Sequence, residues 1–227
     1  MEYRKLGQFG PEVSIICLGA MNFGSQTDEE TVVKIFDHAR NADVNFIDTA
    51  DIYADGKSEE SVGVAIASDR ENWIVASKVG FRTPSTSADV RLNDSYIRKS
   101  LDGSLARLGT EYLDLYYLHA EDPRTTISDT LATIGNLIEE KLIRGFGLSN
   151  FSAWKIAEVC GLCDHLGIPN PMAYQPCYNL LTRYVEVEAI IECAHFGIGV
   201  VPYSPLARGV LTGKYSLNNN TPNDSRA

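Results

Sequence analysis

Long apolar runs are missing from this sequence of 227 residues. No stretch approaches the ~18 apolar residues of a membrane span. Residues 13–20 resemble the apolar core of a secretion signal. However, Glu2, Pro11 and Glu12 precede them and an alternating pattern follows, so they read as a buried strand. Basic residues are also scarce, with 20 Lys+Arg against 30 Asp+Glu and a net charge of −10. That balance argues against nucleic acid or an anionic membrane as the main partner, and leaves room for a local basic pocket around a small phosphate ligand. The five cysteines are too few, and odd in number, for a disulfide framework, which points to reduced thiols in the cytosol. The Asn-x-Ser/Thr matches at Asn93, Asn150, Asn219 and Asn223 are then chance. A second CxxC is lacking too. Cys160 and Cys163, with His165 nearby, fall inside a helical pattern and read as core or surface thiols, so no metal is expected. His38 and His195 also fall in helical patterns and read as structural. With 44% hydrophobic and 22% charged residues, the composition is that of a folded chain.

What is present is alternation. Short apolar or β-branched runs at 15–19, 45–47, 73–77, 113–118, 144–148, 173–175 and 199–202 read as strands. Amphipathic helical patterns lie between them. Thr27 with Glu30 forms a capping box ahead of Val32, Val33, Ile35 and Phe36. Ile97, Leu101, Leu105 and Leu108 share one face of a helix over 93–108, which Gly109 stops. Helices over 128–140, 152–166 and 183–196 follow, with Gly167 and Gly197 as stops. Such an order means parallel strands joined by right-handed crossovers. No Gly-x-Gly-x-x-Gly follows the first strand, which favours an α/β (TIM) barrel over an open dinucleotide-binding sheet. Residues 3–6 and 13–14 flank Gly7 and Gly10-Pro11 as a hairpin that would close one end. A barrel of this class has eight strands, and seven are found; the last βα unit has no counterpart. The expectation is a longer polypeptide, or a seam closed by a partner, with the site half open and the chain irregular after Lys214. Residues 216–227, rich in Asn, Ser and Asp, read as an irregular tail.

Three successive strands deliver an ionisable residue to the same C-terminal rim: Asp48, Lys78 and His119. Parallel barrels build their sites on that rim. Tyr53 lies five residues past Asp48. The surrounding motifs are Asp48-Thr49-Ala50-Asp51-Ile52-Tyr53, Ser58-Glu59-Glu60 with Gly63, Ala76-Ser77-Lys78, and the run from Arg107-Leu108-Gly109 to Leu118-His119. Further along come Gly145-Phe146-Gly147-Leu148-Ser149-Asn150-Phe151, Gln175-Pro176 and Pro202-Tyr203-Ser204-Pro205-Leu206-Ala207-Arg208-Gly209, ending at Gly213-Lys214-Tyr215. In this set, found in order along essentially the whole chain, the sequence resembles the aldo-keto reductases, (β/α)8 barrels that reduce carbonyls with NADPH.

The resemblance implies an Asp48, Tyr53, Lys78 and His119 tetrad acting on a small aldehyde or ketone. Tyr53 would donate the proton, since a phenol that titrates near 10 becomes a better acid beside an ammonium. Lys78 supplies that ammonium, Asp48 holds Lys78, and His119 orients the carbonyl oxygen. For the cofactor NADP(H), Ser149, Asn150 and Gln175 are the implied carboxamide partners. Tyr203 is the implied stacking ring. Ser204, Pro205, Leu206, Arg208, Gly209 and Lys214 form the implied pyrophosphate loop, and Gly19, Ala20 and Met21 line the cofactor or substrate side. Ser149 or Asn150 as plain helix caps is the competing structural reading. Two departures from the family pattern stand out. His119-Ala120-Glu121-Asp122-Pro123 replaces the usual His-x-Pro-Asp, and residues 80–91 form a long polar loop with Phe81 and Arg82. The segment that would grip the adenosine 2′-phosphate has no counterpart. Two other functions fit the barrel: an aldolase with Lys78 as Schiff-base nucleophile, which an ion-paired lysine disfavours, and an NADP-binding regulatory subunit of the potassium-channel beta type.

Overall fold

Strand residues alternate between two hydrophobic environments, and that alternation organises the molecule. The computed structural model describes residues 1–82 and 91–215. After an antiparallel hairpin, β1 (Tyr3–Lys5) and β2 (Glu12–Ser14), come β3 (Cys17–Gly19), α1 (Glu29–Asn41), β4 (Phe46–Asp48), α2 (Lys57–Ile66) and β5 (Ile74–Val79). The order continues with α3 (Asp94–Leu108), β6 (Leu115–Leu118), α4 (Ile127–Glu139), β7 (Phe146–Ser149), α5 (Ala153–Leu166), β8 (Ala173–Gln175), α6 (Ala189–Phe196) and β9 (Gly199–Val200). Strands β3 to β9 form one parallel sheet of seven strands in sequence order.

The sheet is curled. Asp48 on β4 and Gln175 on β8 lie four strands apart, which in a flat sheet would be about 19 Å at ~4.8 Å per strand. Instead, Gln175 Nε2 donates to Asp48 Oδ2 at 2.8 Å across the interior. Phe46, Ala76, Leu115, Tyr117 and Ala173 fill that interior, with Leu6 and Val13 of the hairpin beneath them. The opposite face, with Ile47, Val75, Tyr116, Phe146 and Leu148, packs against the helices. The hairpin plugs the end of the sheet opposite the site: Gln8 N donates to Gly197 O at 2.6 Å. Gly7, at φ +63°, lies so close that a Cβ would sit 2.6 Å from both Gly197 O and Met172 O. The fold is that of a (β/α)8 barrel, represented among the described residues by seven of its strands and their flanking helices.

Several elements depart from the sequence reading. The first strand starts at Cys17, and Ile15 and Ile16 are exposed. The second runs from Phe46 to Asp48, and the third extends to Val79, so Asp48 and Lys78 lie within their strands. The strand expected over 113–118 is reduced to Leu115–Leu118, Leu113 making an isolated bridge to Ile143. The strand expected over 199–202 spans two residues. The helix expected over 183–196 is a short 3-10 turn, Tyr184–Glu186, followed by α6. The cap of α1 is Asp28, not Thr27: its carboxylate accepts Thr31 N–H at 2.8 Å. The left-handed stops at Gly109, Gly167 and Gly197 stand where the sequence predicts them. The tail expected over 216–227, and positions 83–90 of the polar loop, lie outside the described residues. Among the described residues no helix is long and apolar enough to cross a membrane. Cys160 and Cys163 are buried in the core, and no group of three or more potential metal ligands is found among the described residues.

Candidate active site

Strand periodicity aims the site inward. Asp48, Lys78, Tyr117, Ser149 and Gln175 occupy inward-facing positions near the C-terminal ends of β4 to β8, and His119 follows β6 directly. Lys78 is fully buried, which demands compensation for its charge. Its Nζ donates to Asp48 Oδ1 at 2.5 Å, to the Thr49 carbonyl at 2.7 Å and to the Tyr53 hydroxyl at 3.1 Å. The ammonium also lies 4.6 Å from the centre of the Tyr53 ring. Burial disfavours the charge of Lys78, but Asp48 and Tyr53 together hold it above the ordinary lysine value. It is a protonated lysine, as an acid–base role needs and a Schiff-base nucleophile does not.

Tyr53 opens a 3-10 turn, Tyr53–Gly56, whose Ala54 and Asp55 have positive φ. The expected lowering of its pKa is not the net result. Burial outweighs the pull of Lys78, and the Tyr53 phenol sits above the ordinary tyrosine value. Lys78 holds it lower than burial alone would. The His119 ring stands edge-on to Tyr53 at 6.1 Å between centres. Burial, and then the Lys78 charge, push His119 down to about 3, so the imidazole is neutral near pH 7. Among the described residues its buried Nδ1 has no hydrogen-bond partner. Phe81 packs 4.8 Å from His119 and walls the site on that side.

The remaining predicted residues lie around this centre. Ser149 Oγ donates to the Gln175 carbonyl at 2.9 Å. Asn150, at φ +59°, donates from Nδ2 to the His119 carbonyl at 3.0 Å, and Tyr203 donates its hydroxyl to Asn150 Oδ1 at 3.0 Å. Neither Ser149 nor Asn150 caps a helix; the N-cap of α5 is Ser152, whose N–H and hydroxyl donate to Glu121 Oε1 at 2.9 and 3.0 Å. The departure from His-x-Pro-Asp therefore has a local function: Glu121 holds Ser152, the N-cap residue of α5, through its N–H and hydroxyl. Asp122 pairs with Arg82 and accepts the Leu92 N–H at 2.9 Å, tying these two residues to the segment after His119. Gly19 ends β3, and Ala20, buried, and Met21, exposed, follow it. Ser204, Pro205, Leu206, Arg208, Gly209 and Lys214 line one hollow of about 290 Å³.

Two contacts lie outside the reach of sequence reasoning. Gln175 holds Asp48 as well as lying beside Ser149. Behind the sheet, the fully buried Glu59 accepts from Arg107 Nε at 2.7 Å and from Ser77 at 2.5 Å. The Ser58-Glu59-Glu60 and Arg107-Leu108-Gly109 motifs carry these residues, but nothing local in either specifies its partner.

The donor set fits a nicotinamide dinucleotide. A hollow with two cations, Arg208 and Lys214, suits a diphosphate, and a partly exposed Tyr203 ring flanks amide and hydroxyl groups that suit a carboxamide. A curled parallel sheet with a lysine-held tyrosine at its C-terminal rim defines an oxidoreductase-type barrel. The family model described as Aldo/keto reductase family matches residues 15–227. The chain belongs to the aldo/keto reductase family. It is 36% identical over 231 residues to a probable voltage-gated potassium channel subunit beta of Arabidopsis thaliana, covering 100% of this chain and 70% of that protein. It is 36% identical over 230 residues to the uncharacterized oxidoreductase YrpG of Bacillus subtilis, covering 96% of this chain and 71% of that protein. With aflatoxin B1 aldehyde reductase member 4 of Homo sapiens it shares 36% over 210 residues, covering 87% of this chain and 59% of that protein.

Proposed function

We propose that this chain reduces an aldehyde or ketone to an alcohol with NADP(H), Tyr53 supplying the proton. The observation that carries the reading is the buried Lys78 ammonium, held by Asp48 and in contact with the Tyr53 hydroxyl, beside a neutral His119. A bound nicotinamide cofactor supplies the hydride. Ser149, Asn150 and Gln175 would hold its carboxamide, Tyr203 the ring face, and Ser204, Pro205, Leu206, Arg208, Gly209 and Lys214 the diphosphate. Gly19, Ala20 and Met21 would line the neighbouring wall. His119 donates an N–H to the substrate carbonyl oxygen and orients it; Tyr53 delivers the proton to that same oxygen. Lys78 stabilises the phenolate that remains, and Asp48 with Gln175 keeps the ammonium in place. The five free thiols support a cytosolic setting.

Tyr53→Phe tests the assignment, because it removes the proton and keeps the ring. General acid catalysis is worth about 10²–10⁴ in rate. In an NADPH-consumption assay with simple aldehydes, kcat should fall by that factor while cofactor binding persists. Unchanged kcat would overturn the role of Tyr53, and a preference for NADH would overturn the cofactor. A second reading, a cofactor-binding regulatory subunit, is supported by the identity to the Arabidopsis protein over the whole chain. Tight NADPH binding without turnover would favour it.

A further inference from the structure

Ser58, in the first turn of α2, is fully buried and has no part in the reaction described above. Its hydroxyl donates to the Ala20 carbonyl at 2.8 Å. A hydroxyl has one proton to give, so at its second contact, 2.8 Å from Thr49 Oγ1, Ser58 accepts and Thr49 donates. Thr49 is itself fully buried, and its backbone carbonyl is one of the three oxygens that take the Lys78 ammonium, at 2.7 Å. Ala20 returns to the same place: its N–H donates to the Asp48 carbonyl at 2.8 Å. Ser58 thus closes a ring of contacts between α2, the end of β3 and the end of β4. Asp48 and Thr49, two residues that hold Lys78, both belong to it.

The same helix start bears on the other side of the site. Tyr53 and α2 are joined by Ala54, Asp55 and Gly56, at φ +49°, +54° and +90°. Consecutive left-handed residues are an unfavourable path for a chain and persist where the surroundings hold them. Just past that turn, Ser58 ties α2 to Ala20 and Thr49, and Glu59 ties it to Ser77, the neighbour of Lys78, at 2.5 Å. The contact between Lys78 Nζ and the Tyr53 hydroxyl, at 3.1 Å, lies toward the long end of the hydrogen-bond range, where a small shift of either partner weakens it.

We infer that Ser58 is a positioning residue for the Lys78 ammonium: it holds Asp48 and Thr49 in place and through them sets the contact between Nζ and the Tyr53 hydroxyl. Its bearing on catalysis rests on the reading of Tyr53 as proton donor. Of the charged groups that act on Tyr53, namely Lys78, Asp48 and Asp51, only Lys78 favours the phenolate, and His119 beside it is neutral. A Lys78 that drifts from Tyr53 therefore leaves the phenol a weaker acid.

Removing either hydroxyl tests this line of contacts: Ser58→Ala, Thr49→Val, which keeps the shape, and both together. Ile66→Val, which trims a buried residue of the same helix, controls for lost packing alone. Tyrosine Cζ is labelled with ¹³C and followed by NMR, with Tyr53→Phe assigning the signal, so the titration needs no turnover. In S58A and in T49V the Tyr53 signal should titrate at higher pH than in the wild-type protein. The double variant should titrate no higher than S58A, because both substitutions cut one line. Thr49→Ser, which keeps the hydroxyl, should return the signal toward wild type, and I66V should leave it unmoved. In an NADPH-consumption assay S58A should lower kcat by up to about 10²-fold, the cost of misplacing a group by about 1 Å, with KM for the aldehyde little changed. A Tyr53 signal that titrates alike in S58A and wild type, an equal shift in I66V, or additive shifts in the double variant overturns the inference. Should S58A fail to fold, T49V against T49S decides on the same terms. A shifted Tyr53 signal in a chain without turnover upholds the role of Ser58 and retires the reductase reading. Turnover that S58A leaves at the wild-type kcat, with Tyr53 unmoved, overturns this inference only.

Discussion

Replacing Lys78 by methionine keeps an unbranched stem and deletes the charge. In the native chain the ammonium satisfies three oxygens at once: Asp48 Oδ1, the Thr49 carbonyl and the Tyr53 hydroxyl. The variant leaves Asp48, 9% exposed, with Gln175 Nε2 at 2.8 Å as its remaining side-chain partner among the described residues. One neutral amide does not replace an ammonium, and removing one member of a buried pair costs about 3–5 kcal/mol. That is a large share of the 5–15 kcal/mol that typically separates a folded domain from its unfolded state. Urea unfolding followed by circular dichroism reads the loss as a lower midpoint with an unchanged slope. The decisive comparison is the double variant Asp48→Asn/Lys78→Met, which removes the stranded charge and should recover part of the loss. If Lys78→Met unfolds at the wild-type midpoint, or the double variant is no more stable than the single one, the electrostatic account of this pair is wrong. Activity should fall in both, since neither retains the ammonium that lowers the pKa of Tyr53.

Asp51→Asn should change stability in a pH-dependent way. The unfolded carboxyl titrates near 3.8 and the folded one at about 7. Native Asp51 therefore keeps its proton while the unfolded chain loses it, and stability falls as pH rises between these values. Above the upper one the cost reaches about 4 kcal/mol. The melting temperature of the variant, relative to wild type, should thus be higher at about pH 8 than at about pH 4, and an equal offset at both would refute the shift. Gly147→Ala places a Cβ 2.6 Å from the Tyr117 ring and 2.9 Å from the Ala173 carbonyl. It should cost about 1–3 kcal/mol in urea unfolding, because the ring beneath Lys78 has no room to retreat. Tyr203→Ala should weaken NADPH binding in a fluorescence titration while leaving affinity for an adenosine nucleotide less affected. Unchanged NADPH affinity would remove Tyr203 from the nicotinamide site.

The sequence by itself determined the order of strands and helices, the glycine stops of α3, α5 and α6, and the presence of polar residues at strand ends. These are local properties. A period of two in a strand, a period near 3.6 in a helix and a left-handed glycine are each written in a few neighbouring residues. For that reason Asp48, Lys78 and His119 were legible as one rim, with Tyr53 beside them. Tertiary structure alone decided what these groups do to one another. The curl of the sheet brings Gln175 to Asp48 across 127 residues of chain, and α3 brings Arg107 to Glu59 and so leaves Asp51 uncompensated. It also decided that burial, not Lys78, dominates the acidity of Tyr53, and that the N-cap residue of α5 is Ser152, held by Glu121, and neither Ser149 nor Asn150. The first strand begins at Cys17 and not at Ile15 for the same reason. Hydrophobicity is a property of a residue, whereas burial depends on which distant surface arrives to cover it, and none covers Ile15 or Ile16 among the described residues.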